Sequence, residues 1–433
     1  SSLAVITQKF QNMLASLWLT ILSAYVECLS DQHTPTSCNV ADLSTSDACL
    51  ATGTLPSDRI IWSSRVVFSE NVGPGCVHIQ HGRFLRIIMG SLEEAQAYAQ
   101  AEGVPLQVER HVMSPGLVDT HVHLSPLNRT WEGFTTGTKA AAAGGVTTVV
   151  LMPLNSLPPT TSVHALEMEL EEAATSSLYA DVGFWAGVVP GNVKSLDKLL
   201  AAGVLGIKAF LSPLPVSAGF EAVSPEQLAQ AAPSIARSGL PLLVHAELMT
   251  NAESDELIRL EGGSTRSFAK FLKTRPRDFE QRAHRALVGI LDSEPDLHVH
   301  IVHLSDATHL GYLSAQQARL GKGRLTVETC PHYLLFAAEE IPDGDTRLKC
   351  FPPIREGWNR MALLQGLLNG TISTIASDHS PCELSMRQLE SGDFFKAWAG
   401  LSALQTSLSA TWKVLRSLLS EAEALVKLAK WWS

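Results

Sequence analysis

Residues 116–125 read GLVDTHVHLS, an apolar run that ends in Asp119 and then in two histidines one residue apart, His121 and His123. Side chains two apart on a strand point the same way, so both imidazoles face one side. Two rings so placed can grip one cation, although a chance pair on a sheet face reads the same. Later apolar runs end alike: Lys208 in GIKAF, His245 in LLVHAE, His303 in HIVHLS and Asp378 in ASDHS. Each has an ordinary reading alone, as a snorkelling lysine, a core histidine or a turn-capping aspartate. Six such endings on one rim instead define a shared metal site. Four neutral imidazoles and a carboxylate suit Zn2+, with Mn2+, Co2+ or Fe2+ as substitutes.

Lys208 differs from the other five in carrying a cation. A protonated ammonium cannot ligate and is repelled by cations. A desolvated lysine in a positive site has a depressed pKa. Its free amine takes up CO2 to form a carbamate, an anion able to bridge two metals. The constellation therefore predicts two divalent ions with a bridging hydroxide.

These residues need elements to position them. Eight apolar runs, rich in Val and Ile, recur at residues 114–121, 146–152, 180–188, 204–210, 240–246, 297–304, 324–330 and 371–377. Helix-forming stretches such as VHALEMELEEAAT and PEQLAQAAPSIARSG separate most of them. Eight βα units in series predict an α/β fold, a (β/α)8 TIM-like barrel, whose active sites lie at the C-terminal strand ends. Before it, IIWSSRVVF and GCVHIQHGRFLRIIMG alternate apolar and polar residues around glycines, as short antiparallel strands of a small β-module do. The expected divisions are an apolar segment over 1–30, a linker over 31–58, part of a β-sandwich module over 59–113 and the barrel over 114–433.

The bulk composition agrees. The chain has 433 residues, 45% hydrophobic and 18% charged, which suits a large packed core. Its net charge is −10 with no basic stripe, which argues against a nucleic-acid partner. None of the seven cysteines forms a CxxC pair, so a cysteine zinc site is not expected. Cys28, Cys38, Cys49 and Cys76 could form disulfides in an oxidising compartment, without a pairing readable from spacing. Residues 13–26, MLASLWLTILSAYV, carry no charge and have the length of a signal-peptide core rather than of a membrane span.

The full pattern of HxH, a strand-four lysine, two later histidines and a final aspartate resembles the binuclear cyclic amidohydrolases. Within them MPLNSLP, KCFPPIR and SDHSPC resemble the allantoinases, particularly the plant type, and the likeness runs from about Pro115 to about Gln405. The resemblance implies hydrolysis of the hydantoin ring of (S)-allantoin to allantoate by a metal-bridging hydroxide, with Asp378 as general base and acid. It implies that His121, His123 and Asp378 hold the more buried metal, that His245 and His303 hold the outer one, and that carboxylated Lys208 bridges both. Asn155, Ser305, Pro353, Arg355 and His379 are the expected substrate contacts. The alternatives are a turn residue for Asn155, a rigid structural turn for KCFPPIR, and loop orientation alone for Ser305 and His379. His332 in CPHY reads as a brace rather than a ligand because the metal shell is already full. The partner is a small ureide, and family members are often homotetramers. Plant relatives enter the endoplasmic reticulum, which the apolar segment favours; peroxisome and cytoplasm are the other compartments. Alternative readings are a dihydropyrimidinase, hydantoinase or dihydroorotase, or a dead scaffold, which would have lost metal ligands.

The chain departs from the family in three places. Phe351 stands where a small residue is usual. SPLNRTWEG replaces an Asp-Pro-Gly-Arg-like turn, with Arg129 still matching. The sequence stops at LVKLAKWWS, where relatives continue, so an incomplete β-module is expected.

Overall fold

The computed structural model describes residues 58–432. The apolar segment over 13–26, Cys28, Cys38 and Cys49 lie outside the described residues. Cys76, Cys330, Cys350 and Cys382 are free thiols. No helix among the described residues is long and apolar enough to cross a membrane. Two compact units form, one up to Leu117 together with Leu418–Trp431, the other Val118–Ser417 with Trp432.

The small unit is a sheet of four strands, β1 (Asp58–Val67), β2 (Val72–Gln80), β3 (Arg83–Met89) and β4 (Leu106–Glu109), in the order β3-β2-β1-β4. β1, β2 and β3 pair antiparallel, while β4 runs parallel to β1. The hairpin between β2 and β3 turns on His81 and Gly82, both with positive φ (50° and 74°). Such a two-residue turn matches the twist of the flanking strands. The helix Leu92–Glu102 starts on a Ser91 capping box and stops at left-handed Gly103. It packs Ala95 and Ala99 onto Ile60 and Cys76. The sequence reading gave the whole C-terminal stretch to the barrel. Instead the helix Glu421–Trp431 packs on β1 and β2. Its apolar face (Ala424, Leu425, Leu428, Ala429 and Trp431) is buried, and Glu421 pairs with Arg65 at 2.9 Å.

The large unit carries the parallel strands β5 (Leu117–Val122), β6 (Val146–Leu151), β7 (Asp181–Phe184), β8 (Ala186–Gly187), β9 (Ile207–Phe210), β10 (Leu242–His245), β11 (Val299–Ile301), β12 (Leu325–Thr329) and β13 (Thr374–Ile375). They run in the orders β5-β6-β7 and β8-β9-β10-β11-β12-β13. β7 and β8 are one barrel position interrupted at Trp185, whose amide bonds back to Leu151 while Ala186 bonds on to Gly206. A parallel bridge between Val122 and His379 joins the first strand position to the last. The eight positions are therefore the eight runs read from the sequence, closed as the TIM-like barrel of the amidohydrolase type.

The surrounding helices follow the same logic of caps and stripes. Pro225–Ser238 begins on a Ser224 capping box with Pro225 in its first turn and ends on left-handed Gly239. Its buried residues, Leu228, Ala231, Ala232 and Ile235, recur at the three- and four-residue spacing of one helix face. Inside the barrel Val150, Met152, Leu154, Trp185, Phe210, Phe220, Leu243 and Val302 form one apolar cluster. That core fixes the strand ends from which the functional side chains project.

Candidate metal centre

β5 delivers His121 and His123, both buried. Asp119, two residues earlier on the same face, is fully buried and lifted by that burial to about 6. Its Oδ1 accepts the backbone N–H of His121 (3.2 Å) and of Ser377 (3.1 Å), which ties the end of β5 to the segment after β13. The next residue, Asp378, then places Oδ1 3.3 Å from His121 Nε2 and 3.4 Å from His123 Nε2. Ligand atoms of these three residues lie within 4.8 Å of one another, the distance range of groups that share one cation. Burial pushes the Asp378 carboxyl up, but the surrounding histidines, His121 foremost, hold it well below the usual carboxylate range.

His245 at the end of β10 and His303 just beyond β11 continue the cluster. The ring centroids of His123 and His121 are 5.6 Å apart, those of His121 and His303 5.3 Å, and those of His303 and His245 4.6 Å. Burial lowers the pKa of His123 to about 4 and pushes those of His245 and His303 down as well. Neutral imidazoles are what a metal requires as ligands.

Lys208 comes from β9 and is fully buried. Its Nζ has no hydrogen-bond partner and lies 4.8 Å from the Phe210 ring centre. Burial brings its pKa to about 8, against the pull of Asp378 and Glu328. A buried, unpaired ammonium is expensive, so this amine is poised to shed its proton. The six residues read from the sequence thus stand together at the C-terminal ends of β5, β9, β10, β11 and β13. The orphaned lysine and the neutral imidazoles fit a binuclear site, because a carbamate on Lys208 would use the nitrogen that the protein leaves without a partner.

Two carboxylates that sequence reasoning missed orient these ligands. Glu328, from β12, accepts His121 Nδ1 at 2.9 Å and the His303 backbone N–H at 3.1 Å. Glu247 accepts His245 Nε2 at 2.8 Å and is clamped through both oxygens by the Arg275 guanidinium, with Nε at 3.0 Å. Burial opposes the charge on both acids, yet His121 holds Glu328 at about 2 and Arg275 holds Glu247 at about 2. His121 and His245 thereby each have one ring nitrogen fixed and the other left for a metal. The available signals were the His-Ala-Glu spacing, which puts His245 and Glu247 on one face, and a lone acid inside the apolar run LTVETC. Glu328→Gln keeps the shape and loses the charge. It is expected to weaken metal affinity about 10- to 100-fold, measured by competition with a chelator.

Backbone strain gathers here too. Asn155, His303 and Asp378 have φ of 69°, 41° and 47°. Left-handed backbone at non-glycine residues stores on the order of 1 kcal/mol or more each and clusters at functional sites.

The expected substrate contacts divide. Asn155 is buried, with Nδ2 3.4 Å from His123 Nδ1 and its Oδ1 without a partner. Ser305 Oγ donates to the Pro353 carbonyl at 2.6 Å, so these two brace each other. Arg355 donates to Glu280 at 3.1 Å and keeps a partnerless Nε. His379 has both ring nitrogens engaged. Nδ1 accepts the amides of Ala403 (3.0 Å) and Leu404 (3.2 Å), so Nε2 donates to Glu132. Phe351 packs its ring against Phe271 (5.6 Å) and under the Arg275 guanidinium (4.4 Å).

Comparison with known proteins matches this arrangement to a class. A model of the amidohydrolase family covers residues 112–413, and the chain belongs to that family, whose members carry a binuclear metal centre. Its relatives narrow the class to allantoinases. The probable allantoinase of rice, Oryza sativa subsp. japonica, is 41% identical over 391 residues, which are 88% of this chain and 75% of the relative. The allantoinase of Arabidopsis thaliana is 41% identical over 396 residues, with the same coverage. Among solved structures, the L-hydantoinase (dihydropyrimidinase) of Arthrobacter aurescens is similar, with a TM-score of 0.75 at 25% identity over 87% of this chain and 81% of that one.

Proposed function

We propose that the chain hydrolyses the hydantoin-ring amide of allantoin to give allantoate, with two divalent cations, most suitably Zn2+. The observation that carries this reading is the meeting of four imidazoles, Asp378 and a partnerless buried lysine at one end of the barrel. The 41% identity to allantoinases supports the choice of ring. His121, His123 and Asp378 would hold one ion, and His245 and His303 the other. Lys208, carboxylated by CO2, would join them. Such a pair supplies hydroxide at neutral pH and polarises a carbonyl oxygen.

The chain's own residues do the rest. Asp378, ionised against His121 and His123, takes the proton from the attacking oxygen and hands it to the ring nitrogen as the C–N bond breaks. Asn155 offers its unused carboxamide oxygen to a ring N–H. The Ser305–Pro353 bond and the Arg355–Glu280 pair stiffen the wall beside His303. His379, anchored at both nitrogens, fixes the backbone that aims Asp378 and acts by positioning rather than by touching substrate. Arg275 and Glu247 hold the tautomer of His245.

Purified chain supplied with Zn2+ and bicarbonate is expected to convert allantoin to allantoate, and to stop when the metal is chelated. Hydrolysis of dihydrouracil without allantoin would reassign it to a dihydropyrimidinase or hydantoinase. Family resemblance also supports a homotetramer, tested by light scattering. The charge-free segment over 13–26 supports passage into the endoplasmic reticulum, tested by imaging the tagged chain.

A further inference from the structure

His332 is 4% exposed, yet neither of its ring nitrogens has a hydrogen-bond partner. Buried polar side chains are nearly always paired, and an orphan asks for an explanation. The sequence reading made His332 a brace. A brace uses its nitrogens, as His379 does with both and His284 does through its 2.9 Å bond to His309. His332 uses neither.

Its place in the fold is the second observation. The short helix Pro331–Leu335 starts two residues after β12, at the barrel end where Glu328 holds His121 and His303. The His332 ring lies 4.2 Å from that of Tyr333, whose hydroxyl donates to the Pro352 carbonyl at 2.7 Å. The short helix that carries the histidine is therefore tied through Tyr333 to the loop at 349–355. Burial brings the His332 pKa to about 4, and Asp378 and His121 are near enough to act on its charge. At neutral pH the ring is neutral and offers one donor and one acceptor. That pair complements the N–H and C=O of an amide or ureide.

We propose that His332 binds the substrate, giving a hydrogen bond to a ureide carbonyl and accepting one from a ureide N–H. The proposal rests on the cyclic-ureide reading above. It assigns the partnerless imidazole the role of holding the ring against the catalytic groups.

The test measures kcat and KM of the full chain and of His332→Leu and His332→Gln on allantoin, hydantoin and dihydrouracil, each with bound metal and thermal unfolding recorded. His332→Leu is expected to lose about 10- to 100-fold in kcat/KM, as removal of a buried hydrogen bond does, with metal content and unfolding temperature unchanged. His332→Gln, which keeps a donor and an acceptor, is expected to recover part of the loss. Wild-type kcat/KM in His332→Leu overturns the proposal. So does a joint fall of activity and stability in His332→Leu that His332→Gln does not relieve, because that marks a packing role. A wild-type chain active on another ring amide but not on allantoin overturns only the choice of substrate, since the His332 effect is then read on that ring. A wild-type chain with two bound metals and no activity on any of the three contradicts both.

Discussion

Lys208→Ala is expected to retain no more than one divalent ion per chain and to lose at least about 10³-fold in kcat/KM. The loss follows from the transition-state charge stabilisation, several kcal/mol, that a second ion supplies. Lys208 is enclosed, its nitrogen has no partner, and desolvation has already moved its pKa to about 8. An amine in that state is a nucleophile toward CO2, and the product is the anion that neighbouring neutral imidazoles lack. Lys208→Arg separates this from mere loss of bulk or charge, because a guanidinium keeps its proton and cannot form the carbamate. It should fail as Lys208→Ala does. Metal content by mass spectrometry, with and without bicarbonate during reconstitution, checks both variants. Activity retained in either one refutes the bridging role.

Asp378→Asn is expected to lower kcat by about 10²- to 10⁴-fold on metal-saturated protein, the range that positioned proton transfer supplies. The carboxylate is kept ionised by the histidines around it, and it sits 3.3–3.4 Å from two of the ring nitrogens. Its substitution removes the only carboxylate in the tight ligand trio. A carboxamide can still offer an oxygen to a cation but cannot accept the proton. Single-turnover measurement of ring opening isolates this step from product release. A variant with kcat within about threefold of wild type would move the base to another residue.

Parts of this site were legible in the sequence for a definite reason. Barrel strands buried on both faces must be runs of Val, Ile and Leu, so a charged or imidazole side chain closing such a run stands out. That made His121, His123, Lys208, His245, His303 and Asp378 readable, together with all eight strand positions. What escaped were relations that only three dimensions supply. Glu328 bonds to His121 across 207 positions of chain, and Arg275 reaches Glu247 across 28. The left-handed backbone of Asn155, His303 and Asp378 left no mark, because the usual signal for positive φ is glycine. Adjacency to Asp378 left His379 either holding substrate or only orienting its loop, and its two nitrogens are bonded within the protein; a full metal shell suggested a brace for His332, whose nitrogens have no partner. The last helix misled because amphipathic spacing reports that a face is buried, not which sheet buries it.

The binuclear centre is tested most directly by anomalous X-ray diffraction from crystals grown with Zn2+ and bicarbonate. Two zinc peaks are expected, one beside His121, His123 and Asp378 and one beside His245 and His303, with an enlarged side chain at Lys208 reaching both. A single peak, or an unmodified lysine beside two fully occupied ions, would contradict it.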